Sequence, residues 1–418
     1  MQANLWESAN DCIFKRTKKV FKPTFLLLVL KMFHLKKMTG ASMRQSFTII
    51  IMTSLIFSSC RKELNDPVLE SMASSTSSAA HIGLTVDAGP VRMVVYPDNT
   101  TTKLLGDGWG HGKITFKWKQ VSGNSTVTID HPDDKNTKIS NLKPGVYTFC
   151  LTATDRGGIS RSDTTSITVL KKMIWYIEST EREALVHFPS GSGPAPVIFA
   201  FHGHGGSNYG FAEKRFELAW PKAIVVYPQG LPTKSHLDEV GKKSGWQHEV
   251  GEVNNRTGVK DQDIKFFDAM LSTFVKKYDA NADQIFVHGW SNGGSFIYDV
   301  LWPERGNKIA AISSAAATVH STKGKKRLPV MQIAGKNDPL VKFIYAEESV
   351  KEVRNLNECI SNEYTWAAGS DGISGTRYWS PLHTPVIFLQ YNGGHDYPSS
   401  VAPFVVKFFK MVAWRTNE

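Results

Sequence analysis

Between residues 84 and 170, apolar and polar positions alternate in short runs: "KITFKWKQV", "STVTID", "TKISNL", "GVYTFCLTATD" and "TTSITVL", separated by Gly, Asn, Asp and Pro. A period of two sends successive side chains to opposite faces of a strand. Each run therefore predicts a strand with one buried face, and their regular spacing predicts a small β-sandwich. From Lys172 the pattern changes. "APVIFAFHG", "KAIVVYPQG", "QIFVHGW", "PVMQIAGKND" and "TPVIFLQYNGGH" are apolar nearly throughout, as strands buried on both faces are. Among them, "DIKFFDAMLSTFVKKY" places Ile264, Phe267, Met270, Leu271 and Phe274 at helical spacing, and "NGGSFIYDVLW" and "APFVVKFFKMVAW" predict further helices. Strand and helix in alternation predict an α/β domain over 172–418, a mostly parallel sheet covered by helices on both faces, behind a sandwich over 84–171.

The N-terminal part lacks this order. "RKELNDPVLESMASSTSSAAHIG" is polar and Ser/Ala-rich with no sustained apolar period, which predicts a linker over 60–83. Residues 1–59 carry nine Lys or Arg and two acidic residues, so +7 of the formal +11 charge lies there. The basic balance is an N-terminal feature, and no nucleic-acid partner is expected. Within it, Met43 to Cys60 combines a basic start, an apolar run too short to span a membrane comfortably, and small residues before the cysteine. This is a secretory signal pattern, with Met43 or Met38 as the expected start. "IFSSC" resembles a bacterial lipobox, although Phe57 departs from its usual residues. The resemblance implies acylation of Cys60, a membrane anchor through that lipid, and a cell-surface or outer-membrane location. An ordinary cleaved signal or an uncleaved anchor is the alternative, and either takes the protein out of the cytoplasm. Past Cys60 only Cys150 and Cys359 remain, which excludes a disulfide scaffold and predicts two unpaired buried thiols.

Candidate chemistry centres on "VHGWSNGGSF". Glycine inside a regular element is costly unless the backbone needs a crowded or left-handed conformation. The run from Gly289 to Gly293 fits G-x-S-x-G, between a predicted strand and a predicted helix, where a sharp turn exposes the Ser291 hydroxyl. A serine nucleophile needs a base, an orienting carboxylate and donors for the oxyanion. "HGHGGS", "GKNDP" and "GGHDYP" supply loop N–H groups, Asp338 and His395, each past the C-terminal end of a predicted strand, where open α/β sheets place their sites. Asp263 and Asp396 are rival acids; Asp263 fits a helix-start charge, and Asp396 is adjacent to His395 and poorly placed to reach its ring. His202 and His204 lack a carboxylate at ligand spacing, so neither metal nor cofactor is expected. Trp246, Trp290 and Trp302 are candidates for a substrate-pocket wall, helix packing being equally open for Trp302.

Two resemblances follow. "DAGP", "FKWKQVSG", "NLKPGVYTFCLTATDRGG" and "SITV" resemble the PKD-type immunoglobulin-like module, with Trp118 and Tyr147 as core residues. "FHGHGGS", "VVYPQG", "GWQ", "GWSNGGSF", "AGKNDPLV" and "GGHDYP" resemble an α/β-hydrolase, and more narrowly the esterase group of feruloyl esterases and polyhydroxybutyrate depolymerases. This likeness implies Ser291 as nucleophile, His395 as general base and then acid, and Asp338 as its orienter. It implies oxyanion donors at the backbone N–H groups of Asn292 and of His204 or Gly205. Many relatives also pin the region before the histidine with a disulfide; Cys359 stands near one half of it, with no partner between it and His395. The implied substrate is a polymer-attached ester. A serine peptidase of the same fold and a surface binding protein with a decayed hydrolase domain are the alternatives. Since the sandwich supplies none of these residues, 172–418 alone is expected to hydrolyse soluble esters.

Overall fold

The computed structural model describes residues 83–191, 193–236, 238–361, 363–369 and 372–415. The signal, lipobox and linker expectations, Cys60 included, fall on residues 1–82 and lie outside the described residues.

One sheet of 13 strands runs through both folded parts. In chain order its strands are β1 (Arg92–Tyr96), β2 (Thr115–Ser122), β3 (Gly145–Thr154), β4 (Ser160–Ile177), β5 (Thr180–His187), β6 (Ala195–Phe201) and β7 (Ile224–Pro228). They continue with β8 (Ala280–Trp290), β9 (Ala311–Ala315), β10 (Val330–Gly335), β11 (Glu363–Ala368), β12 (Ser374–Tyr378) and β13 (Val386–Tyr391). The spatial order is β11-β12-β13-β10-β9-β8-β6-β7-β5-β4-β3-β2, with β1 parallel to β4 off this path. The run β13-β10-β9-β8-β6-β7 is parallel throughout. Antiparallel pairs flank it on both sides, the β11-β12-β13 meander at one and β7-β5-β4 at the other.

The parallel strands are covered on both faces, as their unbroken apolar runs require. Along β6, Val197, Phe199 and Phe201 enter one core with Phe267 and Phe274 of the helix Gln262–Lys277, while Ile198 and Ala200 enter a second core with Phe408 and Phe409 of the helix Ala402–Arg415. A third core fills the sandwich, between the sheet strands β1 to β4 and a smaller sheet of Thr102–Leu105, Asn136–Ser140 and Thr128–Ile129. Trp118 and Tyr147 lie in it. The Trp118 Nε1–H donates to Lys135 O at 3.1 Å, and the Tyr147 hydroxyl donates to Lys143 O at 2.9 Å.

Two features depart from the sequence reading. The expected boundary between 171 and 172 falls inside β4, which runs from the sandwich into the α/β part without a break. Cys150 and Cys359 are free thiols, half-buried rather than buried. No helix of the described residues is long and apolar enough to cross a membrane.

Candidate active site

Strand β8 ends at Trp290 and a helix begins at Asn292, so the chain must turn at a single residue, Ser291. Its backbone sits at φ 52°, ψ −121°, a strained conformation for a residue with a side chain. The neighbouring glycines give the clearance that this turn needs. A Cβ on Gly289 would strike the Gly293 carbonyl, and one on Gly293 would strike the carbonyl oxygens of Phe201 and His202 at the end of β6. The turn is held by the Ser291 N–H, which donates to Ala315 O at 2.8 Å.

Two further loops reach this point from strand ends. The loop after β10 carries Asp338 and the loop after β13 carries His395. They are joined by Lys336 N–H to Tyr391 O and Asn337 N–H to Gly393 O, both at 2.9 Å. The result is a continuous chain of side chains. Ser291 Oγ lies 2.9 Å from His395 Nε2, and His395 Nδ1 lies 2.9 Å from Asp338 Oδ2. The Asp338 side chain is 1% exposed and that of His395 16%. Asp338 divides its work between two oxygens, because Oδ1 accepts the Leu340 and Val341 N–H groups at 2.8 and 2.9 Å. The rival acids are elsewhere. Asp263 Oδ1 pairs with the buried Arg182 at 2.8 Å and its Oδ2 accepts the Gln247 N–H at 2.7 Å. No hydrogen bond links the Asp396 carboxylate to His395.

Of the two loop residues expected to offer an oxyanion donor, Gly205 is already committed, since its N–H donates to Ser244 O at 2.7 Å. That leaves the His204 N–H as the candidate from this loop, and the Asn292 N–H stands in the first turn of its helix, where backbone N–H groups have no intrahelical acceptor. Burial lowers the His204 imidazole below its ordinary value, with Asp238 opposing the shift. His202 is fixed beneath the loop. Its Nδ1–H donates to Gly203 O at 2.8 Å, its Nε2 accepts the Gly230 N–H at 3.0 Å, and burial lowers its pKa to about 4. With both ring nitrogens engaged, His202 has no lone pair for a metal.

Beside His395 opens a cleft of about 550 Å³, walled by Trp290, Phe211 and Tyr397, with Ser207 and Lys214 among its polar groups. The Trp290 and His395 ring centroids are 5.6 Å apart. Trp246 is fully buried and does not line this cleft, which corrects the pocket-wall expectation for it. Trp302 is also fully buried, its Nε1–H donating to Lys326 O at 2.8 Å. Phe211, Lys214 and Tyr397 were not anticipated. Of these only Tyr397 carried a signal, two residues past His395; Lys214 Nζ donates to its carbonyl at 2.8 Å.

Known proteins resemble this chain in two parts. Residues 183–370 match the family model described as phospholipase/carboxylesterase, and residues 88–169 match a PKD-domain family model. Feruloyl esterase C of Emericella nidulans is 26% identical over 250 residues, 56% of this chain and 84% of that protein. The bifunctional acetylxylan esterase/xylanase XynS20E of Neocallimastix patriciarum is 25% identical over 230 residues, 52% of this chain and 31% of that protein, so the chain spans about a third of that relative. The crystal structure of a thermostable esterase aligns over 73% of this chain and 89% of its own, at 12% identity and a TM-score of 0.41. Fold and family together define an α/β-hydrolase preceded by a PKD-type β-sandwich. The family match and the feruloyl esterase relative support a carboxylic ester hydrolase of the serine type.

Proposed function

We propose that Ser291, His395 and Asp338 form the catalytic triad of this esterase. The observation that carries the reading is the Ser291 Oγ, His395 Nε2, His395 Nδ1, Asp338 Oδ2 chain, with both links at 2.9 Å. Ser291 Oγ attacks the ester carbonyl while His395 Nε2 takes its proton, and Asp338 steadies the imidazolium that forms. The carbonyl oxygen becomes an oxyanion, held by the Asn292 and His204 N–H groups. The tetrahedral adduct collapses, the C–O bond to the alcohol breaks, and His395 returns the proton to the leaving oxygen. Water then attacks the acyl-enzyme by the same route, releasing the acid and restoring Ser291.

The substrates are feruloyl, acetyl or hydroxyalkanoate esters attached to a polymer. Aromatic walls at Trp290, Phe211 and Tyr397 suit a flat acyl group, and the names of the two relatives favour feruloyl and acetyl esters over hydroxybutyrate polyester. The Met43–Cys60 pattern supports export, with Cys60 as a lipid-attachment site on the cell surface. Cys60→Ser is then expected to release the protein from membranes or block its maturation, and unchanged fractionation would contradict the anchor. For the substrate, kcat/KM on methyl ferulate, an acetylated xylan oligomer, a hydroxybutyrate oligomer and a peptide amide gives the ranking. Highest values are expected on the first two and the lowest on the amide, whose poor leaving group needs efficient protonation. A preference for the amide would overturn the esterase assignment in favour of a peptidase.

A further inference from the structure

We infer that Trp246 is a positioning residue that sets the gap between the two backbone donors of the oxyanion site. This rests on the triad reading above. The two donors belong to unconnected segments, the loop after β6 and the helix after β8, and a strap of residues 244–247 crosses between them. At one end, the Trp246 N–H donates to Asn292 Oδ1 at 2.7 Å and Asn292 Nδ2–H donates back to Trp246 O at 3.1 Å. At the other, the Trp246 Nε1–H donates to His202 O at 2.8 Å, and Ser244 O accepts the Gly205 N–H at 2.7 Å. His204 lies between those last two attachments. Between the two ends sits Gly245, where a Cβ would come within 2.8 Å of His204 Nδ1 and 3.0 Å of Asn292 Oδ1.

The strap is itself anchored. Trp246 is fully buried, its ring edge-on to Phe201 at 5.0 Å and stacked with Phe296 at 5.7 Å. The next residue, Gln247, gives its N–H to Asp263 Oδ2, whose other oxygen is paired with Arg182. Indole, main chain and a buried ion pair thus fix a single distance. An oxyanion site depends on such a distance, because its donors act only on the charge that develops in the transition state, and small displacements are costly there. Substrate binding in the ground state does not use it. Loss of the strap therefore belongs in kcat rather than in KM.

The test is Trp246→Phe, which keeps an aromatic ring in the core and deletes the Nε1–H together with the second ring of the indole, so it is read beside Gly245→Ala, which leaves the indole whole. A fall in kcat of about tenfold to a hundredfold is expected, with KM within about twofold of the parent. The inhibition constant of a boronic acid transition-state analogue should rise by the same factor as kcat/KM falls, a change that general loosening of the fold would not produce. Gly245→Ala, which leaves the indole in place and crowds His204 and Asn292 apart, should give the same split. Unchanged kcat and inhibition constant in both variants, with Ser291→Ala inactive, would overturn this inference and leave the triad standing. Turnover retained in Ser291→Ala would overturn both. A fall in kcat that tracks melting temperature and recovers on cooling would overturn the positioning role.

Discussion

Strands β3 and β7 belong to the same sheet and are built on different rules. In β3, burial alternates residue by residue from Gly145 to Thr154, whereas in β7 every residue from Ile224 to Pro228 is buried. The sandwich half shows one face to water and spreads its Thr, Ser and Lys side chains along its strands. The hydrolase half is covered twice, so the side chains proposed to react collect where covered strands end. Ser291, Asp338, His395 and the His204 loop all sit at such ends. The two rules meet within β4. Its first residues are largely exposed, and from Ile167 to Leu170 all are buried, with Ile167 and Val169 in the sandwich core and Leu170 in a hydrolase core. A single strand therefore serves cores on both sides of the expected boundary.

The largest effect expected from this comparison is on a chain shortened to 172–418. Such a cut removes Leu170 from the hydrolase core together with Met93 and Val95, which pack against it, and the Arg92 carbonyl that accepts Arg215 Nη1 at 2.9 Å. One buried leucine alone is worth about 2–5 kcal/mol, so the shortened chain should melt about 10 °C or more below the full one. This revises the expectation of an independent catalytic part. Equal melting temperatures and equal activity would restore it and show that the sandwich is a detachable spacer.

A smaller effect separates the halves by acid. His187 and His202 are lowered by burial to about 4 and His288 to about 3, all three in the hydrolase half, whereas His111 and His131 of the sandwich are exposed. These folded values lie below the ordinary value near 6.5, so between about pH 6.5 and 3 the unfolded chain binds more protons. Stability is full above that window and is lost as the pH falls through it. Thermal melts of the full chain from pH 7 to pH 4 should show a progressive fall, reduced in His288→Gln relative to its own value at pH 7. A melting temperature independent of pH in this window would contradict the buried neutral histidines.

What the sequence made legible follows the same division. Alternation marked β2, β3, the first part of β4 and two strands of the smaller sheet, though not β1 or Thr102–Leu105, and unbroken apolar runs marked β6, β7, β8, β10 and β13, because hydropathy reports burial directly. Strand β9 escaped notice: its Ser313 and Ser314 are polar yet fully buried, and Ser313 Oγ is satisfied by His288 Nδ1 at 3.0 Å. Ser291, Asp338 and His395 were legible because each follows a readable strand with a glycine nearby. Trp246 was misplaced for the opposite reason, since a tryptophan in a loop sequence gives no sign of which way its ring turns. The engagement of the Gly205 N–H, which bears on the proposed oxyanion donor, also needed coordinates, because its acceptor, Ser244 O, lies far along the chain.

The central claim is that Ser291 is the residue that becomes acylated. Its most direct test is reaction of the full chain with a fluorophosphonate, followed by mass spectrometry of the peptides. The account predicts one adduct, on Ser291, formed in step with loss of esterase activity and absent from Ser291→Ala. An adduct on another serine, or ester turnover persisting in Ser291→Ala, would contradict it.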